Sequence, residues 1–114
     1  MTTSIYRIVP ADVWQQAEVA GSFGGTEHDL RDGFIHFSTA AQVAETAARH
    51  YAGLAGLLLV RVNAPALGSA LCWEPSRGGA LFPHLYGALP LGAVTSVAPL
   101  PLGPDGVHVL PALE

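Results

Sequence analysis

The sequence predicts a single compact α+β domain, built on a mixed, mainly antiparallel sheet with two helices in the N-terminal half. Three observations predict it. The 114-residue chain is 50% hydrophobic and only 12% charged, which favours a packed core and excludes disorder. Strand and helix patterns alternate as far as Gly53, and only strand patterns follow. No internal repeat or linker interrupts the chain, so residues 1–114 are expected to fold as one domain.

The first elements follow from local composition. The β-branched and aromatic run Ile5–Val9 predicts a strand. A helix is expected over Ala11–Ala20, with Pro10 at its start and Gly21 as its stop. Residues 21–33 are rich in glycine and charge, and they predict a loop.

The central stretch runs from Asp32 to Gln42. Asp32-Gly33 predicts a turn, and Phe34–Ser38 predicts a strand with His36 and Ser38 on one face. Thr39 and Gln42 have the spacing of a capping box, so a helix is expected over Ala40–Ala52. The histidine therefore lies at a strand–helix junction, where its position is fixed.

The second half of the chain predicts strands and turns. Leu57–Val62 has the pattern of a buried strand. Further extended segments are expected at Leu71–Glu74, Phe82–Tyr86, Ala93–Ala98 and Val107–Leu110. The helices therefore come early and the antiparallel strands late.

Composition also excludes several classes of function. A net charge of −4 argues against bulk binding of nucleic acid. The single Cys72 excludes an internal disulfide and a multi-cysteine zinc site. No secretory signal or membrane span is visible, which predicts a cytoplasmic protein without a membrane partner. P-loop, dinucleotide-binding and nucleophile-elbow motifs are absent, and the oligomeric state is left open.

Three stretches combine polar groups with restricted backbone: Tyr6-Arg7, the His36 strand, and the run from Trp73 to Tyr86. Such mixtures of aromatic, glycine and polar residues are typical of pocket walls. The candidate site residues are Arg7, His36, Ser38, Glu74, Arg77, His84 and Tyr86. His28, His50 and His108 are expected to be peripheral.

Structural alternatives exist for the same residues. Glu74 and Arg77 are three apart and can pair with each other, while His36 can be satisfied by a backbone carbonyl. A metal set of His36, Glu74 and His84 lacks tight ligand spacing, so no metal is expected.

Two stretches carry a family resemblance that extends over roughly residues 4–98. Asp32–Gln42 resembles the first signature of domain-of-unknown-function family 952, and Trp73-Glu74 with Phe82–Gly87 resembles the second. That family is similar to the ADP-ribosyltransferase superfamily, which includes the RNA 2′-phosphotransferases. The resemblance implies a split sheet with NAD held in a cleft, and displacement of nicotinamide through an oxocarbenium-like state.

The resemblance assigns roles to individual residues. The histidine-x-serine pattern of His36-Phe37-Ser38 implies that His36 contacts a ribose hydroxyl and that Ser38 supports the cleft. Arg7 matches an early-strand basic position, and Arg77 suits a phosphate. Phe37 stands where many transferases have glycine, and no late glutamate matches their motif.

Three classes of function follow from these observations, of which metal-assisted hydrolysis by His36 and His84 is the weakest. The first is binding of NAD, ADP-ribose or a related phosphorylated nucleotide, with or without ADP-ribosyl- or phosphotransferase chemistry by His36, Glu74 and Arg77. In that case Arg7, Ser38, His84 and Tyr86 bind the ligand. The second is a non-catalytic sensing or interaction module, in which the polar cluster is structural.

Overall fold

The computed structural model describes residues 3–113, with the side chain of Arg77 outside that description. Within this part of the chain there are eight strands and three α-helices. The strands are β1 (Ser4–Pro10), β2 (Ser22–Phe23), β3 (Ile35–His36), β4 (Leu57–Asn63), β5 (Leu71–Pro75), β6 (Leu81–Leu85), β7 (Leu89–Pro90) and β8 (Val94–Leu100). The α-helices are α1 (Ala11–Ala20), α2 (Glu27–Asp32) and α3 (Val43–His50), and 3₁₀ segments cover Ala64–Ala70, Arg77–Gly79 and Leu91–Ala93.

The sheet is split into two halves. One half has the strand order β1-β4-β8 and the other β3-β6-β5, while β2 and β7 form a separate ribbon. Tyr6 and Ser38 connect the halves through two backbone hydrogen bonds of 2.7 and 2.9 Å. Every strand pair found within the described residues is antiparallel, so the prediction of a mixed sheet was wrong. In the β1-β4-β8 half, each strand begins at the end of the sheet where its neighbour earlier in the chain ended, which gives antiparallel pairing.

Strand β1 is buried on both faces, which explains its β-branched and aromatic composition. Ile5 and Val9 face a core that includes Trp14 and Ala17 of α1. Tyr6 and Ile8 face a second core that includes residues of α3 and β4. The Cα radius of gyration is 13.3 Å, the value expected for a compact domain of this length. The two helices therefore cover opposite faces of the same strand.

The N-terminal half contains one helix more than the sequence predicted. Residues 27–32, expected to be loop, form α2 because Thr26 and Asp29 make a reciprocal capping box and Gly33 ends the helix at a φ of 88°. Helix α3 begins at Val43, later than expected, because the Gln42 amide bonds the carbonyl of Thr39 and closes a turn first.

The C-terminal segment also differs from expectation. Val107–Leu110 makes no strand, and the pairing there is one isolated bridge between Leu102 and His108. Prolines on either side of the segment lack the N–H groups that a ladder needs. Among the described residues, no helix has the length and apolar composition needed to cross a bilayer.

Candidate functional site

A cavity of about 860 Å³ opens beside the junction of the two sheet halves. Its walls come from β1, from residues 36–38, from α3 and from the end of α2. The polar groups around it include Arg7, Thr26, His28, Asp32, His36, Ser38, Thr46, Arg49, His50, Ser76 and His84. Its volume is in the range of ligand-binding clefts.

The buried carboxylate of Asp29 is the centre of the polar network behind this cavity. Asp29 is 1% exposed and accepts five hydrogen bonds. Its Oδ1 accepts from Arg7 Nη1 at 2.6 Å, His36 Nδ1 at 2.6 Å and the His36 amide at 3.0 Å. Its Oδ2 accepts from the amide and hydroxyl of Thr26 at 2.7 and 2.9 Å. The carboxylate therefore fixes β1, α2 and β3 relative to one another.

The pKa of Asp29 reflects these contacts. Burial alone would raise it, because an apolar environment disfavours the charged form. Hydrogen bonds from His36 and Arg7, the positive charge of Arg7 and the Thr26 amide outweigh burial, and they hold the pKa of Asp29 well below its usual range. Asp29 is thus a permanent anion at neutral pH.

Two glycines position Asp29 and His36. Gly25 has a φ of 101°, and a Cβ at that position would lie 2.9 Å from the Cβ of Asp29. Only glycine fits there without displacing Asp29. Gly33 ends α2 in the left-handed conformation, and the chain then enters β3 with Ile35 and Phe37 in the core. His36 consequently points towards the cavity, as the predicted alternation requires.

Arg7 is buried and is used by the protein itself. Its guanidinium is 6% exposed and donates to Asp29, to the carbonyls of Ile8 and His36, and to the hydroxyl of Thr26. Four of its five N–H groups thus have internal partners. Arg7 is thus ion-paired within the protein, and its predicted ligand contact remains a prediction.

His36 lies between two carboxylates. Its Nδ1 is 2.6 Å from Oδ1 of Asp29, and its Nε2 is 2.9 Å from Oδ2 of Asp32. A neutral imidazole satisfies one of these acceptors, whereas an imidazolium satisfies both. The side chain is 30% exposed. The predicted alternative, in which His36 is satisfied by a backbone carbonyl, is not what the ring contacts show.

A second cluster adjoins the first. His84 lies opposite His36 in the β3–β6 pair, with 5.7 Å between the ring centroids. The Nδ1 of His84 and the hydroxyl of Tyr86 each bond Oε1 of Glu74 at 2.7 Å. Phe34 stacks on His84 with the ring centroids 4.0 Å apart. His36 and His84 are thus each oriented by a carboxylate at Nδ1.

Titration of the second cluster follows the same contacts. Hydrogen bonds from His84 and then Tyr86 lower the pKa of Glu74. The bond to Glu74 in turn raises the pKa of the Tyr86 hydroxyl.

The predicted Glu74–Arg77 pair concerns a side chain outside the described residues. Of the predicted site residues, His84 lines the cavity, whereas Glu74 and Tyr86 are not among the described residues that line it.

Ser38 lies at the junction of the two sheet halves, and its predicted role in a ligand cleft remains a prediction. Its backbone pairs with Tyr6, and its hydroxyl is 2.8 Å from the hydroxyl of Thr46 on α3. Ser38 is 4% exposed and lines the cavity. It therefore connects both sheet halves and α3 at the cavity wall.

The prediction that His28 is peripheral was wrong. Its ring lies 4.6 Å from that of His36, and its Nε2 is 3.6 Å from Oδ2 of Asp32. One ligand atom from each of His28, Asp32 and His36 lies within 4.8 Å of the others. These three side chains have the composition of a metal-binding set.

Asp29, Thr26 and the role of Asp32 were not predicted from the sequence. A local signal was present, since Thr26 and Asp29 have the spacing of a capping box. The glycines before Thr26 and the six-residue length of α2 concealed it. The contact of Asp29 with Arg7 spans 22 residues and had no local signal.

Comparison with known proteins gives a consistent assignment. A crystal structure of protein CC0527 from Caulobacter crescentus is 49% identical, with a TM-score of 0.91 over 95% of each chain. A crystal structure of its double mutant is 48% identical, also with a TM-score of 0.91 over 95% of each chain. Its solution NMR structure is 49% identical, with a TM-score of 0.83 over 91% of this chain and 90% of that chain. No curated protein matches. Residues 8–97 match the family model described as "Protein of unknown function (DUF952)", and the chain belongs to that family.

Proposed function

We propose that this protein binds NAD, ADP-ribose or a related phosphorylated nucleotide in the cavity around His36. The observation that carries the proposal is an open cavity of about 860 Å³ that reaches His36 between the two sheet halves. A closed cluster with His36 on backbone would have supported a purely structural role. The ring is instead partly exposed and flanked by two carboxylates.

The contact between His36 and Asp32 suits a ribose diol. Nε2 of His36 and Oδ2 of Asp32 are 2.9 Å apart at the partly exposed side of the ring. A hydroxyl both donates and accepts, so a hydroxyl entering here can bond the ring nitrogen and the carboxylate together. Neighbouring hydroxyls of a ribose offer two such groups. This contact is the one in the cluster that a ligand can replace at low cost, because both partners already meet solvent.

The other walls of the cavity offer groups that can bind a phosphate and an aromatic ring. Arg49 lines the cavity, and its side chain is 57% exposed in a 3.2 Å contact with Glu45. Such a surface pair contributes little, so Arg49 can turn to a phosphate, which it recognises through two parallel N–H donors. Tyr51 and Phe82 supply apolar wall surface. Arginine, rather than bulk positive charge, would account for anion binding by a chain of net charge −4.

Binding is better supported than transfer. Phe37, which replaces the glycine of many transferases, is 3% exposed and packs in the core. Among the described residues that line the cavity there is no glutamate, and Asp32 is the carboxylate there. Should nicotinamide be displaced, His36 would hold the ribose while His84, fixed by Glu74, would be the second proton-carrying group.

Thermal unfolding with and without ADP-ribose or NAD tests the proposal. At ten times Kd, a ligand stabilises the native state by about 1.4 kcal/mol, which raises Tm by several degrees in a domain of this size. His36→Gln should lose most of that rise, whereas His108→Gln, which alters a partly exposed histidine outside the cavity lining, should keep it. No rise with either nucleotide, or an equal rise in His36→Gln, would refute the proposal.

The non-catalytic sensing module is the second candidate, and one observation favours it. The Asp29 network satisfies Arg7 internally, so the early-strand arginine serves the fold. Chromatographic detection of free nicotinamide after incubation with NAD distinguishes the candidates. Release above a His36→Gln control indicates transferase or hydrolase chemistry, while binding without release indicates a sensing module.

A further inference from the structure

The segment from His28 to His36 has three metal-ligand residues at intervals of four. His28 and Asp32 lie one turn apart on α2, so their side chains share a face of the helix. Gly33 then reverses the chain, and β3 brings His36 back over the same face. The rings of His28 and His36 come to lie 4.6 Å apart, with the carboxylate of Asp32 beside both.

We propose that His28, Asp32 and His36 form a binding site for a divalent transition metal at the mouth of the cavity. The site goes beyond nucleotide binding, since it requires no nucleotide. It also revises the expectation of a metal-free protein. That expectation considered His36 with Glu74 and His84, and it overlooked the two residues of α2.

The distances are close to those of a metal site. A tetrahedral metal with ligands at about 2.05 Å places neighbouring ligand atoms about 3.3 Å apart. Here Oδ2 of Asp32 is 2.9 Å from Nε2 of His36 and 3.6 Å from Nε2 of His28. All three ligand atoms lie within 4.8 Å. Closing the widest gap takes about 1.5 Å, and His28, with a side chain 54% exposed, has room to rotate.

The surroundings of His36 provide independent support. A metal-binding histidine usually donates its other ring N–H to a carboxylate, which fixes the ring and strengthens the ligand. Asp29 does this for His36, through the 2.6 Å contact at Nδ1 that leaves Nε2 for the metal. Because Asp29 is 1% exposed and is also bonded by Arg7 and the Thr26 amide, this arrangement is present before any metal binds.

One neighbouring group opposes the metal. Arg31 contacts Nδ1 of His28, and its Nε is 3.8 Å from Asp32. Its side chain is 71% exposed, so it can leave towards solvent when a cation takes its place. Two imidazoles and one carboxylate favour Zn²⁺, Co²⁺, Ni²⁺ or Fe²⁺ over Mg²⁺ and Ca²⁺, which prefer oxygen ligands. Three protein ligands leave a coordination position open towards the cavity.

Calorimetric titration of the full chain, purified without a histidine tag, tests the site with ZnCl₂ and with MgCl₂. We expect one equivalent of Zn²⁺ per chain and no comparable heat with Mg²⁺. His28→Ala and Asp32→Asn should each weaken Zn²⁺ binding at least tenfold, because each loses a ligand. His108→Ala is the matched histidine control and should bind like the parent chain, since the ring of His108 bonds the carbonyl of Leu54 and is not part of the three-residue set.

A second readout does not depend on heats. Co²⁺ bound by nitrogen and oxygen ligands absorbs in the visible range, and this band should appear at one equivalent and disappear in His28→Ala. Both variants are expected to fold, because the side chains of His28 and Asp32 are exposed. Circular dichroism of each variant checks this. Absence of stoichiometric Zn²⁺ binding, or binding unchanged in His28→Ala and Asp32→Asn, would overturn the proposal. Neither result bears on nucleotide binding, which is measured in metal-free buffer.

Discussion

Asp29→Asn is the substitution that most directly tests the role of the buried network. The change keeps the shape of the side chain but removes its charge and replaces one acceptor oxygen by an amide donor. Oδ1 and Oδ2 of Asp29 each accept at least two hydrogen bonds. Whichever oxygen is replaced, at least two donors then face another donor. Arg7, 6% exposed, also loses its counter-ion.

The expected magnitude follows from these contacts. Removing one partner of a buried ion pair costs about 3–5 kcal/mol, because the remaining charge stays buried and uncompensated. At about 4 °C per kcal/mol for a domain of this size, Tm should fall by about 12–20 °C. Asp32→Asn is the matched control, since it makes the same chemical change at an exposed carboxylate. It should cost less than about 1 kcal/mol.

The assay is urea unfolding of the parent chain and both variants between pH 7 and pH 3. The pKa of Asp29 is lowered in the folded state from a usual value of 3.8. Its stabilisation is therefore complete above about pH 5 and is lost as the pH falls below about 4, because the unfolded chain takes up the proton first. The advantage of the parent over Asp29→Asn should therefore be smaller at pH 3 than at pH 7, and most of the loss should come at still lower pH, because the folded-state pKa lies well below its usual range. Equal stability of Asp29→Asn and Asp32→Asn at pH 7, or a difference that persists unchanged at pH 3, would refute this account.

Two further predictions concern the second cluster and the approach to α2. Glu74→Gln should lower the pKa of Tyr86 towards the usual tyrosine value, because the acceptor that raises it loses its charge, and ultraviolet titration of the phenol checks this. An unchanged phenol titration would show that the 2.7 Å contact does not form. Gly25→Ala should destabilise the chain more than Gly21→Ala in thermal unfolding. Both glycines have positive φ, but a Cβ lies 2.9 Å from Asp29 only at Gly25. Equal losses would contradict the steric account.

The sequence predicted the central strand well because its information is local. Alternation along Phe34–Ser38 placed His36 towards the cavity and Ile35 and Phe37 in the core, where the structure has them. Side chains alternate between the two faces of a strand, so the positions of the apolar residues determine which face is buried. The same holds for β1 and β4, whose apolar runs match strands buried on both faces.

The residues that complete the site could not be predicted in the same way. Asp29 is an unremarkable acid in the first turn of a short helix, and its importance depends on Arg7, 22 residues earlier. No apolar periodicity around His28 predicts which way its side chain points. It lies beside His36 because α2 ends at Gly33 and the chain then turns back. Contacts of this kind depend on how elements pack, and no local pattern encodes them.

The two ring nitrogens of His36 have different surroundings: one belongs to the buried network and the other faces the cavity. Its Nδ1 faces a carboxylate that is 1% exposed and bonded to three chain segments, so exchange at this nitrogen would disrupt the fold. Its Nε2 faces Asp32, which is 36% exposed and adds little to stability. A ribose hydroxyl and a metal ion would both act at Nε2, and both would replace the same contact with Asp32. Binding at this site is therefore expected to leave the network around Asp29 intact, because the nitrogen that holds the ring is not the one that meets the ligand.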